Sequence, residues 1–459
     1  MAAHPLHLSD HFKPRKFFHM SSDKPQKSAA PLRVGIAGLG VVGGEVARQL
    51  SHHADHLAGV AGQPFQITVI SARSRGTDRG FDRSGIDWVD NAAEIAERDD
   101  VDIVVEMIGG EEGVALDLVT RALETGKHVI TANKAMLAHH GTKLARLAES
   151  QGVGLMYEAA IAGGIPAVKS LREGLAGNRV SRVSGILNGT CNYILTRMER
   201  TGEPFDEVLA DAQKLGYAEA EPSLDVDGID AAHKLTILAA IAFGQTPQFD
   251  RVAISGIRDV SAVDFAYATQ LGFRIKLIGT AEPGRMPRMQ TCLLPISTQL
   301  AKVDGVLNAV EFDAEPVGSI VLTGPGAGAG ATSSAVLSDL VDIANGRIPH
   351  TFGRPVSALA DGSAVENGGG PDTPFYVRLM VVDKPGVLAD VTSVLQTHDI
   401  SVESLLQQGR APQDVVALVL TTHEIGVERL MTALSEIESL SCVQAPPVAM
   451  PILVPGQEG

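Results

Sequence analysis

The chain has 459 residues, 44% of them hydrophobic, which is enough for two or three domains with ordinary cores. Its formal net charge of −16 disfavours nucleic acid and anionic membranes as partners, because no segment concentrates enough cations to neutralise a row of phosphates. The apolar runs fall short of the roughly 20 residues of a membrane span, and the three cysteines lack the spacing of a disulfide framework or a thiolate zinc site, so we expect a soluble cytoplasmic protein.

The first 30 residues have neither the sustained apolar segment nor the small-residue cleavage site of a signal peptide. We therefore expect residues 1–30 to form a disordered leader, with Met20 as an alternative start. The folded part is predicted to begin near residue 31.

Residues 31–157 alternate short β-branched runs with helical stretches, a pattern that predicts a parallel sheet covered by helices on both faces. The runs in chain order are RVGIAG, FQITVISAR, VDIVVEMIG and HVITAN. This is the doubly wound, Rossmann-type α/β class, and we expect residues of about 324–360 to complete it.

A glycine-rich loop directly follows the first predicted strand and directly precedes a helix. In GLGVVGG, Gly38 allows the tight turn, Gly40 lets a pyrophosphate approach the backbone, and Gly43 lets the helix pack closely. Val41 and Val42 open the helix whose N-terminus would face the anion. The spacing predicts a bound dinucleotide, against the alternative of a purely structural turn.

The second predicted strand ends in ISARSRG, where an NAD site would usually place an acidic residue on the ribose. Arg73 and Arg75 stand there instead, and a guanidinium suits a 2′-phosphate. The pattern favours NADP(H), with NAD(H) still possible and solvated surface charges as the alternative.

Two further segments lie at the carboxyl ends of predicted strands, where open parallel sheets bind ligands. Glu106–Gly110 is expected beside the nicotinamide, and Lys134 follows the next strand in TANK. A lysine in that position is more often a surface residue, so its spacing alone gives little indication of ligand contact.

The rest of the chain has a different pattern of predicted helices and strands. Residues 158–323 combine helices with strands such as RIKLIGTA and QTCLLPIS, which predicts an α+β substrate domain. GPGAGAG at 324–330 predicts a tight turn against a ligand or another backbone, with a flexible linker as the alternative. Residues 361–373 predict a linker, and residues 374–459 follow the order βαββαβ of a ferredoxin-like unit.

The stretch LGYAEAEPSLDVDGIDAAHK, residues 215–234, crowds five carboxylates in front of one lysine on an apolar helix. The register excludes an EF-hand calcium loop, because glycine stands at its fourth position and isoleucine at its fifth. A structural interpretation makes Asp230 the cap of a helix that begins at Ala231 and pairs it with Lys234 one turn later. A catalytic interpretation stays open beside it: Lys234 shares a face with isoleucine and leucine, so it should be buried and paired, as a proton donor would be.

The same stretch resembles the signature of the homoserine dehydrogenase family, with glycine, an aromatic residue and proline before the pattern D-hydrophobic-x-G-x-D-x-x-x-K. Other segments resemble the family's motifs in the right order: TANK (131–134), YEAAIAGGIP (157–166), ILNGTCNYIL (186–195) and GPGAGAGATSSAV (324–336). The resemblance covers about residues 32–353, and the C-terminal unit resembles an ACT domain.

The resemblance implies an oxidoreductase that reduces L-aspartate 4-semialdehyde to L-homoserine with NAD(P)H, in threonine, methionine and isoleucine biosynthesis. It implies that Lys234 donates the proton to the new hydroxyl and that Asp230 supports it. Lys134 would lie between substrate and nicotinamide, and Gly326 would belong to the coenzyme site.

The resemblance also implies how the amino-acid part of the substrate is held. Glu219 would bind the ammonium group, with Asp225 in the same polar cluster. The amides of Gly189 and Thr190, together with the threonine hydroxyl, would hold the carboxylate.

Further ligands follow from the resemblance. A monovalent cation, usually sodium, would bind the carbonyls of Glu158, Ile161, Gly163 and Ile165, although a structural turn also accounts for these residues. ACT domains commonly bind amino acids, which implies L-threonine as an allosteric inhibitor, although many ACT units serve mainly in dimerisation. A homodimer or homotetramer formed through residues 158–323 is expected.

Two other classes are weighed against this enzyme. A non-catalytic sensor of nucleotide and amino acid would be expected to lack one of Lys134, Asp230 and Lys234, and all three are present. A phosphorylating semialdehyde dehydrogenase would need a nucleophilic cysteine, for which Cys191 beside the NGT motif is the candidate.

Overall fold

The computed structural model describes residues 30–362, 372–407 and 414–453, and these form three sheets covered by helices. The expected leader and linker therefore lie almost wholly outside the described residues. In the described part, no helix is both long and apolar enough to cross a bilayer.

In chain order the α-helices are α1 (Val41–His52), α2 (Ala54–Ala61), α3 (Val114–Glu124), α4 (Lys134–Gln151), α5 (Ala167–Lys169), α6 (Gly189–Thr201), α7 (Phe205–Lys214), α8 (Ser223–Val226), α9 (Ile229–Phe243), α10 (Ala262–Gln270), α11 (Ala329–Ala344), α12 (Val387–Thr397) and α13 (Val427–Glu438). Short 3₁₀ helices are Ala92–Glu97, Glu158–Ala160, Phe249–Arg251, Leu300–Lys302 and Val356–Ala358, and a π-helical turn, Ser170–Gly174, continues α5.

The first sheet contains β1 (Leu32–Ala37), β2 (Phe65–Ser71), β3 (Asp87–Trp88), β4 (Ile103–Glu106), β5 (His128–Thr131) and β6 (Leu155–Met156). Its strand order is β3-β2-β1-β4-β5-β6, and every pairing is parallel. The predicted doubly wound class is confirmed, because β-branched strands buried on both faces need helices on each side. Helix α11 packs on α1 and adds Val336 and Leu340 to the core of this sheet.

The second sheet contains β7 (Arg179–Ile186), β8 (Ala253–Ile254), β9 (Phe273–Ala281), β10 (Arg288–Pro295), β11 (Leu307–Glu315) and β12 (Gly318–Pro325). Its order is β12-β11-β7-β9-β10-β8. Helix α9 lies between this sheet and α4, which explains why its residues 231–241 are all buried. The helix therefore brings Lys234 into a dry junction between the two larger parts of the molecule.

The third sheet contains β13 (Phe375–Val382), β14 (Val402–Gln407), β15 (Val415–Thr422) and β16 (Val448–Pro451), in the order β14-β15-β13-β16. With α12 and α13 it gives the predicted βαββαβ order. This unit is joined to the second sheet, since the Leu453 amide donates to the Leu293 carbonyl oxygen at 2.9 Å. Tyr376 and Met450 belong to the same buried cluster as α9.

Candidate active site

The glycine loop joins β1 to α1 in a geometry that requires glycine at two positions. Gly38 has a φ of +91°, and a Cβ there would lie 2.5 Å from the Met107 carbonyl oxygen. A Cβ on Gly43 would lie 1.8 Å from the Gly38 carbonyl oxygen, so the helix packs directly on the turn. Among the described residues nothing lies within 4 Å of a Cβ built on Gly40, and Val41 is 77% exposed. This open cradle at a helix N-terminus fits a bound pyrophosphate.

The loop between β2 and β3 carries four arginines, and Arg73, Arg75 and Arg79 differ in their contacts. Arg73 is exposed and makes no hydrogen bond or ion pair with the described residues. Arg75 lies over the Trp88 ring, 5.4 Å from its centroid. Arg79, which sequence reasoning missed, donates from Nε to the Leu39 carbonyl oxygen in the glycine loop at 2.9 Å. Arg79 therefore supports the cradle, whereas the Arg73 guanidinium has no partner among the described residues.

The buried carboxylate of Glu106, at the end of β4, shapes the adjoining wall of the cleft. It accepts hydrogen bonds from two amides of the following loop at 2.6 and 2.9 Å and from the Thr131 hydroxyl at 2.5 Å. The loop is tied to α4 as well, because Asn133 caps that helix and donates to the Gly110 carbonyl oxygen at 2.6 Å. Since its partners satisfy it, Glu106 positions the loop and is not a free base.

Asp230 lies between two lysines that come from different parts of the fold. Its Oδ1 is 3.2 Å from the Nζ of Lys134, the first residue of α4, and its Oδ2 is 2.7 Å from the Nζ of Lys234 on α9. Burial alone would raise the pKa of the Asp230 carboxyl, but the charges of Lys234 and Lys134 outweigh it and hold that pKa well below its usual range. Asp230 is therefore an anion shared by two ammonium groups.

Lys234 is buried, and two of the three hydrogen-bond donors of its ammonium group have partners. Its Nζ donates to the Leu187 carbonyl oxygen at 2.8 Å and to Asp230 at 2.7 Å. An ammonium group has three donors, so with the described residues as partners one N–H is left for a ligand. This arrangement has the geometry of a proton donor held in a dry site.

The helix start differs from the structural interpretation of the sequence. Helix α9 begins at Ile229, and its N-cap is Gly228 with a φ of +84°. The prediction that Asp230 caps a helix beginning at Ala231 is therefore wrong. Asp230 lies inside the first turn, where a negative charge favours the helix dipole and the side chain is free to face the lysines.

Asn188, which sequence reasoning also missed, links two carboxylates of the site by hydrogen bonds. Its Nδ2 donates to Asp225 Oδ1 at 2.7 Å and to Asp230 Oδ2 at 3.0 Å. Burial raises the pKa of the Asp225 carboxyl, and the Asn188 hydrogen bond opposes that rise. The residue stands in the NGT motif, but its two partners lie about forty residues downstream, and sequence spacing carries no signal for that contact.

The environment of Cys191 does not suit a nucleophile. The residue is buried, and its Sγ lies 3.1 Å from the Asp225 carbonyl oxygen. Burial, with the nearby Asp225 charge, raises the pKa of the thiol well above its usual value. A reactive cysteine needs the opposite environment, so the site disfavours a phosphorylating dehydrogenase.

The N-terminus of α6 is where the family resemblance predicts the substrate carboxylate to bind. Asn188 caps the helix by accepting from the Cys191 amide at 2.8 Å, and the preceding amides of Gly189 and Thr190 lie in the first turn. Free amides at a helix N-terminus suit an anion. The Thr190 hydroxyl, however, donates to the Tyr217 carbonyl oxygen at 2.7 Å, so it is engaged by the protein. Glu219 is exposed on the loop that this bond anchors.

The turn expected to bind a monovalent cation follows β6. Gly163 has a φ of +56°, and a Cβ there would lie 2.5 Å from the Gly326 carbonyl oxygen, so the GPGAGAG segment packs on this turn. The Glu158 carboxylate is engaged by the protein, because it accepts from two amides of α5 at 3.0 and 2.9 Å. The Ile165 carbonyl accepts one backbone hydrogen bond at 2.7 Å and keeps a second lone pair. Backbone carbonyl oxygens such as this one are a type of ligand that a hard cation prefers.

The glycine cradle on a parallel sheet, together with Asp230 paired to Lys134 and the buried Lys234, defines an NAD(P)-dependent oxidoreductase. Sequence models described as "Homoserine dehydrogenase, NAD binding domain", "Homoserine dehydrogenase" and "ACT domain" match residues 38–158, 166–341 and 375–442. The chain belongs to the homoserine dehydrogenase family.

Relatives of known sequence or structure match between 70% and 93% of this chain. A homoserine dehydrogenase of Pseudomonas aeruginosa is 41% identical over 91% of this chain and 98% of its own. The crystal structure of a homoserine dehydrogenase from Thiobacillus denitrificans is 39% identical, with a TM-score of 0.85 over 93% of this chain and 99% of its own. A hyperthermophilic archaeal homoserine dehydrogenase in complex with NADPH is 26% identical, with a TM-score of 0.61 over 70% of this chain and 100% of its own.

Proposed function

We propose that the protein reduces L-aspartate 4-semialdehyde to L-homoserine. The observation that carries this proposal is the buried Lys234 ammonium, which Asp230 and the Leu187 carbonyl hold with one N–H to spare. When bound, the reduced coenzyme supplies a hydride to the aldehyde carbon. Lys234 gives a proton to the aldehyde oxygen as the carbon–oxygen double bond becomes a single bond. Asp230 orients the ammonium, and Lys134 holds the other oxygen of Asp230.

The same pocket supports recognition of the amino-acid part of the substrate. In our proposal the backbone amides of Gly189 and Thr190 bind the carboxylate, since the threonine hydroxyl already has a partner. Asp225 and Glu219 complement the ammonium group. Asp225 is held within the polar cluster by Asn188, and Glu219 is exposed on the adjoining loop.

The activity is tested by mixing the purified protein with L-aspartate 4-semialdehyde and NADPH in a buffer without phosphate. We expect NADPH absorbance to fall and L-homoserine to form in equal amount. Reduction of NADP⁺ that requires both semialdehyde and phosphate would instead identify the phosphorylating dehydrogenase and contradict the proposal.

We further propose that NADP(H) is preferred over NAD(H), because Arg73 is exposed and without a partner among the described residues at the end of β2. Replacing Arg73 with alanine is expected to raise KM for NADPH by about tenfold, since a charge-assisted hydrogen bond to a phosphate contributes roughly 1.5–3 kcal/mol. The KM for NADH should stay within about twofold. Steady-state rates with both coenzymes check this, and an equal rise in both KM values would contradict it.

The backbone turn beside Gly326 supports a proposed sodium site. The ligands would be the carbonyls of Glu158, Ile161, Gly163 and Ile165. The test is the rate in sodium buffer compared with a buffer of a bulky organic cation.

We propose that residues 31–157 with 324–360 bind coenzyme, that 158–323 bind substrate and form a homodimer or homotetramer, and that 374–459 regulate. Strand β12 supports the oligomer, because it is a long edge strand of the second sheet and its residues are exposed or half-buried. Three buried free cysteines support a reducing cytoplasm as its location. Light scattering would give the mass of the assembly.

L-threonine is the proposed inhibitor, acting through the third sheet. The fully buried Asp264, near the start of α10, accepts from the Tyr376 hydroxyl at 2.9 Å and from Arg378 Nε at 2.8 Å. Six residues before Asp264, Arg258 pairs with Asp227. Asp227 lies between Asp225 and Asp230, so a shift of β13 has a short physical route to the carboxylates of the site.

Replacing Arg378 with methionine is expected to raise the threonine concentration for half-inhibition by about fivefold or more, because coupling between sites is typically 1–3 kcal/mol. Arg429→Met is the matched control, since Arg429 is half-exposed on α13 and lies 3.9 Å from Asp399. The measurement is a threonine titration of each protein, with thermal unfolding to show that each is folded. Absence of any response in the unaltered protein would contradict threonine regulation.

A further inference from the structure

A cluster of potential metal ligands lies beside the active site and has no part in the proposed reaction. Among the residues that the structure describes, Glu111, His139 and His233 each place a ligand atom within 4.8 Å of the other two. The His139 Nε2 is 3.2 Å from a Glu111 carboxylate oxygen. Two imidazoles and one carboxylate therefore converge from three separate segments.

The three residues come from the segments that carry the site. Glu111 lies in the loop after β4, His139 is five residues beyond Lys134 on α4, and His233 directly precedes Lys234 on α9. A bond to all three would join the coenzyme-binding half of the molecule to the half that carries Lys234.

The two imidazole rings of the cluster pack against Phe249. Phe249 stacks on His233 with ring centroids 4.2 Å apart and meets the His139 ring edge-on at 4.9 Å. His233 is 7% exposed, and its ring lies 5.5 Å from that of His139, centroid to centroid. A neutral imidazole nitrogen is the commonest metal ligand among protein side chains.

The spacing of the ligand atoms is close to that of a zinc site. Nitrogen and oxygen ligands at 2.0–2.2 Å in a tetrahedron are about 3.3 Å apart. The 3.2 Å separation of the His139 and Glu111 atoms already meets this spacing. The remaining separations, at most 4.8 Å, need side-chain shifts on the order of 1 Å. Glu111 and His139 are exposed enough to make such shifts and to admit an ion.

We propose that Glu111, His139 and His233 bind a divalent first-row transition-metal ion, with Zn²⁺ as the probe, across the junction of α4 and α9. Two imidazoles and one carboxylate suit this class of metal, whereas Mg²⁺ and Ca²⁺ prefer ligand sets made entirely of oxygen. The bound ion restrains movement between the coenzyme-binding and substrate-binding halves. It is separate from the backbone sodium site and from the proton-donating lysine.

The test measures Zn²⁺ binding by competition with a chromophoric chelator, using the full chain without a histidine tag. We expect one equivalent to bind with a Kd in the micromolar range or below and to raise the thermal unfolding midpoint. His139→Asn and Glu111→Gln should each weaken binding by about tenfold or more, since even groups that only support a ligand change affinity by 10–100-fold. Both variants keep the lysines and Asp230, so NADPH-dependent turnover without metal shows that they are folded.

His140→Asn is the matched control. His140 is the next residue of α4 and also pairs with a glutamate, Glu112, at 2.9 Å, but it does not belong to the cluster. Its loss should leave Zn²⁺ affinity unchanged. Absence of binding at micromolar Zn²⁺, equal affinity in His139→Asn and the unaltered protein, or an equal loss in His140→Asn would each overturn the proposal.

Discussion

Replacing Lys234 with alanine is expected to lower kcat by about 10³-fold while coenzyme affinity changes little. Removal of a general acid typically costs 10²–10⁴-fold, and the side chain lies at the substrate end of the cleft, not at the glycine loop. Asp230 would keep Lys134 as a cationic partner at 3.2 Å, so the buried carboxylate is not left unpaired. Steady-state rates measure kcat, coenzyme titration measures affinity, and thermal unfolding measures stability.

Lys234→Arg separates proton donation from charge. Arginine keeps the positive charge beside Asp230, but its pKa is too high for it to release a proton at neutral pH. We therefore expect this variant to bind coenzyme normally and to remain at least about a hundredfold slower than the unaltered protein. Near-normal turnover in the alanine variant, or full recovery with arginine, would show that Lys234 does not donate the proton.

Gly43→Ala is expected to weaken coenzyme binding by about tenfold or more and to lower stability by about 1–3 kcal/mol. The added methyl group would lie 1.8 Å from the Gly38 carbonyl oxygen, which is backbone and can move only if the turn opens. Opening the turn displaces the amides that face the pyrophosphate. Fluorescence or calorimetric titration with NADPH and a thermal unfolding curve measure the two effects.

Two neighbouring glycines serve as controls for this clash. Gly44→Ala should change neither quantity, because the nearest atom to its added Cβ is 3.8 Å away. Gly40→Ala should leave stability unchanged but weaken coenzyme binding, since its Cβ meets only the space in which the pyrophosphate is proposed to lie. If Gly43→Ala and Gly44→Ala behave alike, the close packing of helix and turn does not control binding.

Local patterns predicted the parts of this molecule that depend on neighbours in sequence. The strand–turn–helix context identified the glycine loop, and the i,i+4 spacing on an apolar helix placed Asp230 beside Lys234, with 2.7 Å between the carboxylate oxygen and Nζ. The βαββαβ order of the C-terminal unit also follows from short-range alternation of strand and helix patterns. Each of these features is set by residues within one or two turns of each other.

The remaining features depend on contacts between distant segments. Asn188 reaches Asp230 across 42 positions, and Arg79 reaches Leu39 across 40. Neither pair has a periodic spacing, because the fold and not the local backbone brings them together. The start of α9 also differs from the prediction: Asp230 is a good cap by residue type, but Gly228 is the N-cap, and the Asp230 carboxylate pairs with Lys234 on the same helix and Lys134 on α4.

One face of the third sheet packs into the hydrophobic core of the catalytic part, while the other forms a separate core with α12 and α13. Tyr376, Val419, Met450 and Ile452 are buried in the same cluster as Leu235 and Leu238 of α9. The C-terminal unit cannot separate from the catalytic part without exposing these buried residues. We therefore expect the two parts to unfold together in a single cooperative transition. Damage to the apolar residues of the C-terminal sheet would then reduce the amount of folded enzyme in the cell, and a purely regulatory defect requires changes confined to polar contacts such as Arg378.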